Sequence, residues 1–279
     1  MLANWFIALL GRNRAWRLGR RMYMQARGEV GNLIAFNGEA ELIRQMARAH
    51  RSMGSACAFR AIDIGANRGE WTHSLIESMG NLAYTVDIFE PVPSTLDTLR
   101  ADFATCPSVR IHAAAVSDHV GTATMHIVGQ AAGTNSLDGA AFDIAGGSLE
   151  VALTTLPIAL TEMGYPVVDL VKIDVEGHDI VILRSLGDVL RSATIGAIQF
   201  EYNWRWLANG GSLYEVFAMI EGTGYRLARV AKAGPVIINR WNPEIDRFLE
   251  ANYVLLSSST VAALNPRSAD WDANNTTLF

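Results

Sequence analysis

The sequence predicts an α/β fold: a doubly wound, mostly parallel, Rossmann-like sheet of seven strands, preceded by an N-terminal helical arm. From about residue 58 onward, apolar strand-like segments alternate with amphipathic helical segments, which is the order that builds parallel sheets. The first of these strands ends in a glycine-containing loop that leads into a helix. With 279 residues, half of them hydrophobic, the chain is long enough for one large domain with a substantial core.

The N-terminal region differs from the rest in charge. Residues 1–50 carry eight arginines and three glutamates, whereas the whole chain has a net charge of −5. Apolar residues between Leu2 and Leu10 recur at helical spacing, and arginines interleaved with apolar residues follow. We therefore predict a basic amphipathic arm over residues 1–55. Its role stays open between packing on the protein's own body, forming a homodimer, and peripheral contact with an anionic membrane.

The main domain is expected over residues 56–260, followed by a C-terminal tail over residues 261–279. The chain is expected to be polar and irregular from Ser258 onward. A closing antiparallel edge is expected near the C-terminal end of the domain. The predicted strands are 58–64, 84–89, 109–116, 122–128, 149–153, 169–174, 195–200, 225–230, 236–238 and 253–257, and the predicted helices are 70–79, 94–104, 156–163, 178–190 and 213–221.

A long segment rich in small and polar residues interrupts this alternation between residues 129 and 147. Loops of this length in a compact domain are often functional, as lids or binding loops. We expect Thr134, Asn135 and Ser136 to line an acceptor pocket or a lid, with a surface loop as the plain alternative.

Acidic residues follow five consecutive predicted strands. Because ligands bind outside the carboxyl ends of the strands of an open parallel sheet, acids at these positions indicate one shared site. The acids and their polar neighbours are Asp63, Glu90, Ser117 with Asp118, Asp174 with Glu176 and His178, and Glu201.

The kind of ligand follows from the charge around the glycine loop. Asp63 directly precedes the loop, and the glycines Gly65 and Gly69 have Gly-x-x-x-Gly spacing rather than the Gly-x-Gly-x-x-Gly spacing of dinucleotide sites. A pyrophosphate would be repelled by Asp63, whereas S-adenosylmethionine (SAM) carries an ammonium and a sulfonium and no phosphate. Glu90, at the end of the second strand, is placed to accept both ribose hydroxyls. These features favour SAM as the cofactor.

Four segments and the later Glu201 resemble the FkbM-type family of SAM-dependent methyltransferases, in the class I methyltransferase superfamily. The resemblance covers about residues 58–203, and its most specific part is the Asp-Val-Glu-Gly element after the Lys-Ile strand. One departure is Pro157, where the family usually has an aspartate. The segments are Asp63-Ile64-Gly65-Ala66-Asn67-Arg68-Gly69-Glu70-Trp71, Phe89-Glu90-Pro91, Ala115-Val116-Ser117-Asp118 and Lys172-Ile173-Asp174-Val175-Glu176-Gly177-His178.

The resemblance implies a class I methyltransferase sheet and O-methylation, commonly of sugar or polyketide hydroxyls. It also implies a cofactor-binding set that extends over three strand ends. By this resemblance the methionine end of SAM lies near Asp63, Gly65, Ala66, Asn67 and Gly69, the ribose near Glu90 and Pro91, and the adenine near Ser117 and Asp118, with Asp174 as a further contact.

Transfer of a methyl group to an alcohol requires a general base and an in-line approach to the methyl carbon. His178 is the first candidate for the base, although a purely structural histidine at the start of a helix is an open alternative. Asp174 is expected to hold the SAM ammonium or the acceptor hydroxyl, and Glu176 and Glu201 to complete the site. These groups also offer ligands to Mg²⁺, so a divalent metal stays open, but none is expected.

The expected function is SAM-dependent O-methylation of a small molecule or glycan, such as a sugar, a polysaccharide unit or a polyketide-like product. N-methylation and a non-catalytic scaffold role are the alternatives. The net charge of −5 argues against a nucleic-acid substrate. A cytoplasmic location is expected because no apolar run reaches the length of a membrane span, the N-terminus lacks a signal-peptide pattern, and the two cysteines form no disulfide framework.

Overall fold

The computed structural model describes residues 2–28, 33–54, 57–127, 137–138 and 147–269. Helices and strands alternate through most of these residues. The helices are α1 (Leu2–Leu10), α2 (Arg12–Ala26), α3 (Ile34–Asn37), α4 (Glu39–Ser52), α5 (Glu70–Met79), α6 (Pro93–Asp102), α7 (Leu156–Met163), α8 (Asp179–Arg184), α9 (Gly187–Ser192), α10 (Leu213–Ile220) and α11 (Ser258–Leu264), with a 3-10 helix at Trp204–Asn209. The strands are β1 (Phe59–Ile64), β2 (Tyr84–Phe89), β3 (Val109–His112), β4 (Ala115–Ser117), β5 (Gly121–Ile127), β6 (Gly147–Thr155), β7 (Val168–Ile173), β8 (Ile195–Tyr202), β9 (Arg226–Ala231), β10 (Gly234–Ile238), β11 (Ala251–Leu256) and β12 (Arg267–Ala269).

The main sheet has the order β12-β10-β9-β11-β8-β7-β1-β2-β3. Neighbouring strands from β3 to β8 are parallel, and β11 runs antiparallel to both β8 and β9. Order and direction confirm the predicted doubly wound α/β fold. The predicted count of seven strands is corrected to nine for the described residues. The sheet continues beyond β9, because β10 pairs with β9 and β12 pairs with β10.

Two segments depart from the predicted elements. The predicted strand at 109–116 divides, because the chain leaves the main sheet after His112 and β4 pairs with β6 in a second sheet of order β4-β6-β5. The tail from Ser258 is not irregular throughout: Ser257 caps α11 by accepting a hydrogen bond from Thr260 N, and β12 follows.

Both faces of the main sheet are covered. Ile64, Ile173 and Phe200 belong to the core on one face, and Leu75 and Val254 to the core on the other. Helix α4 contributes the fully buried Leu42 and Ile43 to the second of these cores. This part of the predicted arm therefore packs into the domain, whereas α2 contains no buried residue.

The Pro157 departure has a local explanation. Thr155 caps α7 by accepting a hydrogen bond from Ile158 N, and Pro157 stands in the first turn, where the missing N–H of proline costs nothing. Across the described residues, no helix combines the length and the apolar character needed to cross a bilayer.

Candidate active site

The glycine loop between β1 and α5 is joined to the two neighbouring strands by backbone contacts. Gly65 has φ +80, and a Cβ built on it would lie 2.0 Å from the carbonyl oxygen of Asp174. Asp174 N donates to the Ile64 carbonyl (3.0 Å), and Gly65 N donates to the Phe89 carbonyl (3.0 Å). Only glycine fits this approach, so the ends of β1, β2 and β7 form one backbone frame.

Glu90 closes the next strand end and is held by the same loop. Its carboxylate accepts hydrogen bonds from Val92 N (2.9 Å) and from Asn67 N (3.2 Å). Burial raises the pKa of Glu90 to about 7, although these two backbone hydrogen bonds work in the opposite direction. The side chain is thus desolvated and oriented, as a specific hydrogen-bond acceptor should be.

A cleft opens beside Glu90 at the carboxyl ends of β1, β2 and β7. Its walls are mainly apolar, and its polar groups are few and converge, which is typical of small-molecule sites. The lining residues are Ile64, Gly65, Asn67, Phe89, Glu90, Pro91, Val92, Thr95, Ala115, Val116, Met125, Leu137, Asp174, Val175, Glu176 and His178.

Lys172 lies buried beneath the glycine loop, among carboxylates. Its Nζ is 3.1 Å from Asp174 Oδ2, and Asp63 is its partner in the register between β7 and β1. Burial opposes the charge of Lys172, but Asp174, Asp63 and Glu39 outweigh it and raise the pKa of the ammonium. Lys172 therefore supplies the positive charge that the buried carboxylates around it need.

Asp63 itself does not line the cleft. Its Oδ2 accepts a hydrogen bond from the Thr72 hydroxyl (2.7 Å), and within the described part of the chain its Oδ1 has no hydrogen-bond partner. Burial raises the pKa of Asp63, and Lys172 lowers it. The structure thus buries Asp63 under the loop, and its predicted contact with SAM stays a prediction.

A second group of acids lies beyond Asp174. Glu176 has φ +55 and forms an ion pair with Arg205 (2.8 Å). Burial, and then the charge of Asp174, raise the pKa of Glu176 to about 7. The same two causes, in the same order, raise the pKa of Asp179 and of Glu201. These carboxylates lie so close together that their mutual repulsion favours either a bound cationic ligand or protonation of some of the carboxyl groups.

Glu201 and Asp179 are held within the protein rather than facing the cleft. Asp179 accepts hydrogen bonds from Gly177 N and Glu201 N (3.2 Å each), and the Glu201 side chain accepts one from Asn203 Nδ2 (2.6 Å). The sequence predicted Glu201 just after the end of its strand. Because β8 continues to Tyr202, Glu201 lies inside the strand instead. Its predicted role in the site stays a prediction.

His178 is fixed at both ring nitrogens. Nδ1 lies 3.0 Å from Asp138 Oδ2, and Nε2 lies 3.0 Å from Ser117 Oγ. Asn209 donates to the same Asp138 oxygen (2.7 Å). Burial opposes ionisation of Asp138, but the hydrogen bonds from His178 and Asn209 outweigh it and lower its pKa. The imidazole therefore faces an ionised carboxylate.

The cleft brings together a subset of the residues predicted for the site. Glu90, His178 and part of the glycine loop all line it. An adjoining smaller pocket takes in Ala66 and Lys172. The predicted residues that line the cleft are Gly65, Asn67, Glu90, Pro91, Asp174, Glu176 and His178, and those that do not are Asp63, Ala66, Gly69, Ser117, Asp118 and Glu201.

Ser117, Asp118 and Gly69 have other contacts. Ser117 lies behind His178 and donates to Asp118 Oδ1 (3.1 Å), while Asp118 is exposed and also contacts His119. Gly69 approaches the side chains of α6 and begins α5. Their predicted cofactor contacts stay predictions. Thr134, Asn135 and Ser136 lie outside the described residues.

Sequence reasoning missed two groups of the site. Lys172 is a charged residue in an apolar strand, and that pattern alone signals a paired, buried lysine. Asp138 carries no such signal, because it lies in a segment of small residues forty positions from His178. In the residues the structure describes, no cluster of three or more His, Cys, Asp or Glu side chains is arranged to hold a metal ion.

The order of the main sheet and the cleft at the ends of β1, β2 and β7 define the class I methyltransferase fold. The family model described as the methyltransferase FkbM domain matches residues 63–227, which is more than half of the chain. The chain therefore belongs to the FkbM methyltransferase family. A search of curated proteins gave no match.

Solved structures with similar folds are distant in sequence. The methyltransferase FkbM from Methylobacillus flagellatus KT is 12% identical (TM-score 0.44; 75% of this chain and 47% of that chain), so the matched region spans about half of that protein. A putative caffeoyl-CoA O-methyltransferase from Staphylococcus aureus is 10% identical (TM-score 0.44; 91% and 98%). The precorrin-6y C5,15-methyltransferase from Geobacter metallireducens GS-15 is 13% identical (TM-score 0.39; 78% and 88%).

Proposed function

We propose that the protein is a SAM-dependent O-methyltransferase that acts on a hydroxyl of a small molecule or glycan. The observation that carries this proposal is Glu90, a buried carboxylate held by Asn67 N and Val92 N at the edge of a mainly apolar cleft. A carboxylate beside apolar walls matches a nucleoside, which offers two ribose hydroxyls and a flat ring.

The residues present fit SAM in charge as well as in shape. Glu90 would bind the ribose hydroxyls, and the backbone at Gly65 and Asn67 would contact the methionine end, with Asp174 near its ammonium. When bound, SAM supplies a methyl group on a positively charged sulfur, so the carbon is already activated. The protein has to exclude water, align the acceptor and take up one proton.

His178 is the proposed general base. Asp138 holds the Nδ1 side of the ring, and Nε2 would take up the proton of the acceptor hydroxyl in a ring position that releases its present hydrogen bond to Ser117. The ionised Asp138 carboxylate would stabilise the resulting imidazolium. Glu176, paired with Arg205 at the edge of the cleft, would contact the acceptor.

Binding of SAM, measured by calorimetry, tests the cofactor assignment. We expect Glu90→Ala to weaken SAM affinity by about 10- to 100-fold, because the charge-assisted hydrogen bonds of a carboxylate contribute about 1.5–3 kcal/mol. Asp97→Ala, an exposed carboxylate on α6, is the matched control and should bind SAM normally. Failure of the wild-type chain to bind SAM, or normal binding by Glu90→Ala, would contradict the proposal.

The acceptor class needs a separate experiment. Mass spectrometry of candidate glycans and natural products incubated with enzyme and SAM should show a methyl ether. A methylated amine would instead support N-methylation, and SAM binding without turnover of any acceptor would support a scaffold role. We expect turnover to survive chelation of divalent metal ions. We also propose a cytoplasmic location, with no nucleic-acid partner.

A further inference from the structure

The two N-terminal helices form a basic and apolar surface. Residues 1–28 contain six arginines and no acidic residue. Several large apolar side chains are nevertheless exposed, with Trp5 at 61% and Trp16 at 69% of their full accessibility. We call the following residues the arm surface: Trp5, Leu9, Arg12, Arg14, Trp16, Arg17, Leu18, Arg20, Arg21 and Met22.

Helix α2 separates its apolar and charged residues. At 3.6 residues per turn, Trp16, Gly19 and Tyr23 share one side with Met22 and Ala26, whereas Arg14, Arg17 and Arg21 lie on the opposite side. Arg20 borders the apolar side next to Trp16, and Arg12 lies on that side between Gly19 and Tyr23. This is the distribution found in helices that lie in the plane of a membrane interface, with arginines at the level of the head groups.

In the part of the chain that the structure describes, hydrogen bonds hold the C-terminal end of α2 to the body of the protein. Arg27 is buried and donates to the Glu244 carbonyl (2.7 Å), and Tyr23 donates to the Glu244 carboxylate (3.3 Å). Arg229 donates to the Arg27 carbonyl (3.4 Å). This attachment fixes where α2 leaves the domain, but Met22, one residue before Tyr23, is still 63% exposed.

We propose that the arm surface binds the surface of an anionic phospholipid bilayer. The choice rests on charge complementarity: five of its ten residues are arginines, and anionic head groups attract such residues while tryptophan enters the interface. A second copy of the chain on the same surface would bring arginines against arginines in a two-fold interface, which is unfavourable.

The anchor also relates the bilayer to the cleft. Glu244, which holds Arg27 and Tyr23, begins a short segment that ends at Glu250, and the charge of Glu250 acts on Glu176 and Glu201. The chain that fixes the arm therefore runs to the acidic side of the site. Membrane binding itself does not depend on the proposed function.

Vesicle co-sedimentation of the full chain tests the proposal. We expect binding to vesicles that mix phosphatidylglycerol with phosphatidylcholine, little binding to phosphatidylcholine alone, and weaker binding at high salt. Each arginine near the surface contributes roughly a five-fold gain in partitioning, so the double variant R17E/R21E should bind at least about 30-fold more weakly. Tryptophan fluorescence should shift to the blue when the anionic vesicles are added.

The double variant R100E/R191E is the control, since it makes the same charge change at exposed positions on the body of the protein. It should bind vesicles nearly as the wild type does. Trp16→Ser tests the apolar part and should weaken binding without changing the far-UV circular dichroism. The proposal is overturned if the wild-type protein does not bind anionic vesicles, or if R17E/R21E binds them as the wild type does.

Two further measurements separate this proposal from its alternatives. A dimer by light scattering that Trp16→Ser converts to a monomer would assign the arm surface to a second copy of the chain and overturn the membrane proposal. SAM calorimetry on R17E/R21E should give wild-type affinity, and Glu90→Ala should still bind vesicles. Loss of SAM binding in the wild type would therefore contradict the proposed function alone.

Discussion

His178 Nδ1 and Asp138 Oδ2 lie 3.0 Å apart, although forty residues separate them in the chain. Asp138 is further held by Asn209, and the other ring nitrogen of His178 faces Ser117 at 3.0 Å. A histidine restrained on both sides keeps one ring orientation. Catalysis by His178 would then depend on Asp138, which touches neither cofactor nor acceptor in the proposed mechanism and acts as a positioning residue.

Replacing the imidazole should separate turnover from cofactor binding. We expect His178→Ala to lower kcat by about 10²- to 10⁴-fold, the usual contribution of a general base, while SAM affinity stays within a few-fold of wild type. Steady-state kinetics and calorimetry measure the two effects. Unchanged turnover would move the role of base to Asp174.

Asp138→Asn should give a smaller loss than His178→Ala, with a different pH profile. Without the carboxylate the imidazolium is less stable, so the acidic limb of the kcat profile should move to lower pH and kcat at its plateau should fall. Asp97→Asn, at an exposed carboxylate on α6, is the control. A uniform loss at every pH, with no displaced limb, would reduce Asp138 to a structural role.

The stability of the ligand-free protein should fall as the pH rises from about 5 to about 8. Glu90 and Glu176 have pKa values of about 7 in the folded chain against 4.5 unfolded, so the native state binds more protons in this window. For Glu90 the difference between the folded and unfolded pKa values corresponds to about 3 kcal/mol in the free energy of unfolding. This contribution is lost as the pH rises from 4.5 to 7.

Denaturant unfolding at several pH values measures this effect. Glu90→Gln should flatten the pH dependence and leave the protein more stable than wild type at the alkaline end, at the expense of SAM affinity. Glu70→Gln, at an exposed position in the first turn of α5, should follow the wild-type curve. A wild-type stability that rises with pH across this window would show that these carboxylates are not buried as described.

Gly65→Ala should be far more damaging than an equivalent change elsewhere. A Cβ at Gly65 would meet the Asp174 carbonyl oxygen at 2.0 Å, whereas at Gly164, which has a similar positive φ, no atom lies within 4 Å of the added Cβ. Gly164→Ala should therefore cost about 1–2 kcal/mol for its backbone conformation alone. Gly65→Ala should cost more and abolish SAM binding, as measured by denaturation and calorimetry.

Lys172→Met should destabilise the protein by about 3–5 kcal/mol, because it leaves Asp63 and Asp174 without their buried cation. Lys232→Met, in the turn between β9 and β10, removes the only other lysine and should have little effect. Chemical denaturation near neutral pH compares the two. Equal stabilities would mean that the carboxylates near Lys172 keep their protons and need no partner.

Local patterns predicted the parts of the fold that depend on local chemistry. The bounds of α5 and β2 match the predicted ranges because an apolar strand, a glycine and an amphipathic run are each visible within a few residues. The glycine loop and Glu90 were found in the same way. The doubly wound fold class followed from the alternation of strands and helices along the chain.

The contacts that depend on tertiary packing escaped this reasoning. The pairing of β4 with β6 and the attachment of β12 to β10 join segments whose sequences carry no mark of their partners. The same is true of Asp138, which contacts His178 from forty residues away in the chain. Asp63 was expected at the ligand, but its strand position turns it toward Lys172 under the loop.

The contact between Gly65 and the Asp174 carbonyl has a consequence for how the family diversifies. The donor half of the cleft is shaped by main chain, so its geometry is independent of most side-chain changes around it. The acceptor half depends on side chains at the surface of that frame, such as Glu176 and Leu137. Under the proposed function, point substitutions at these side chains would change substrate preference and leave the main-chain geometry beside the methyl donor unchanged.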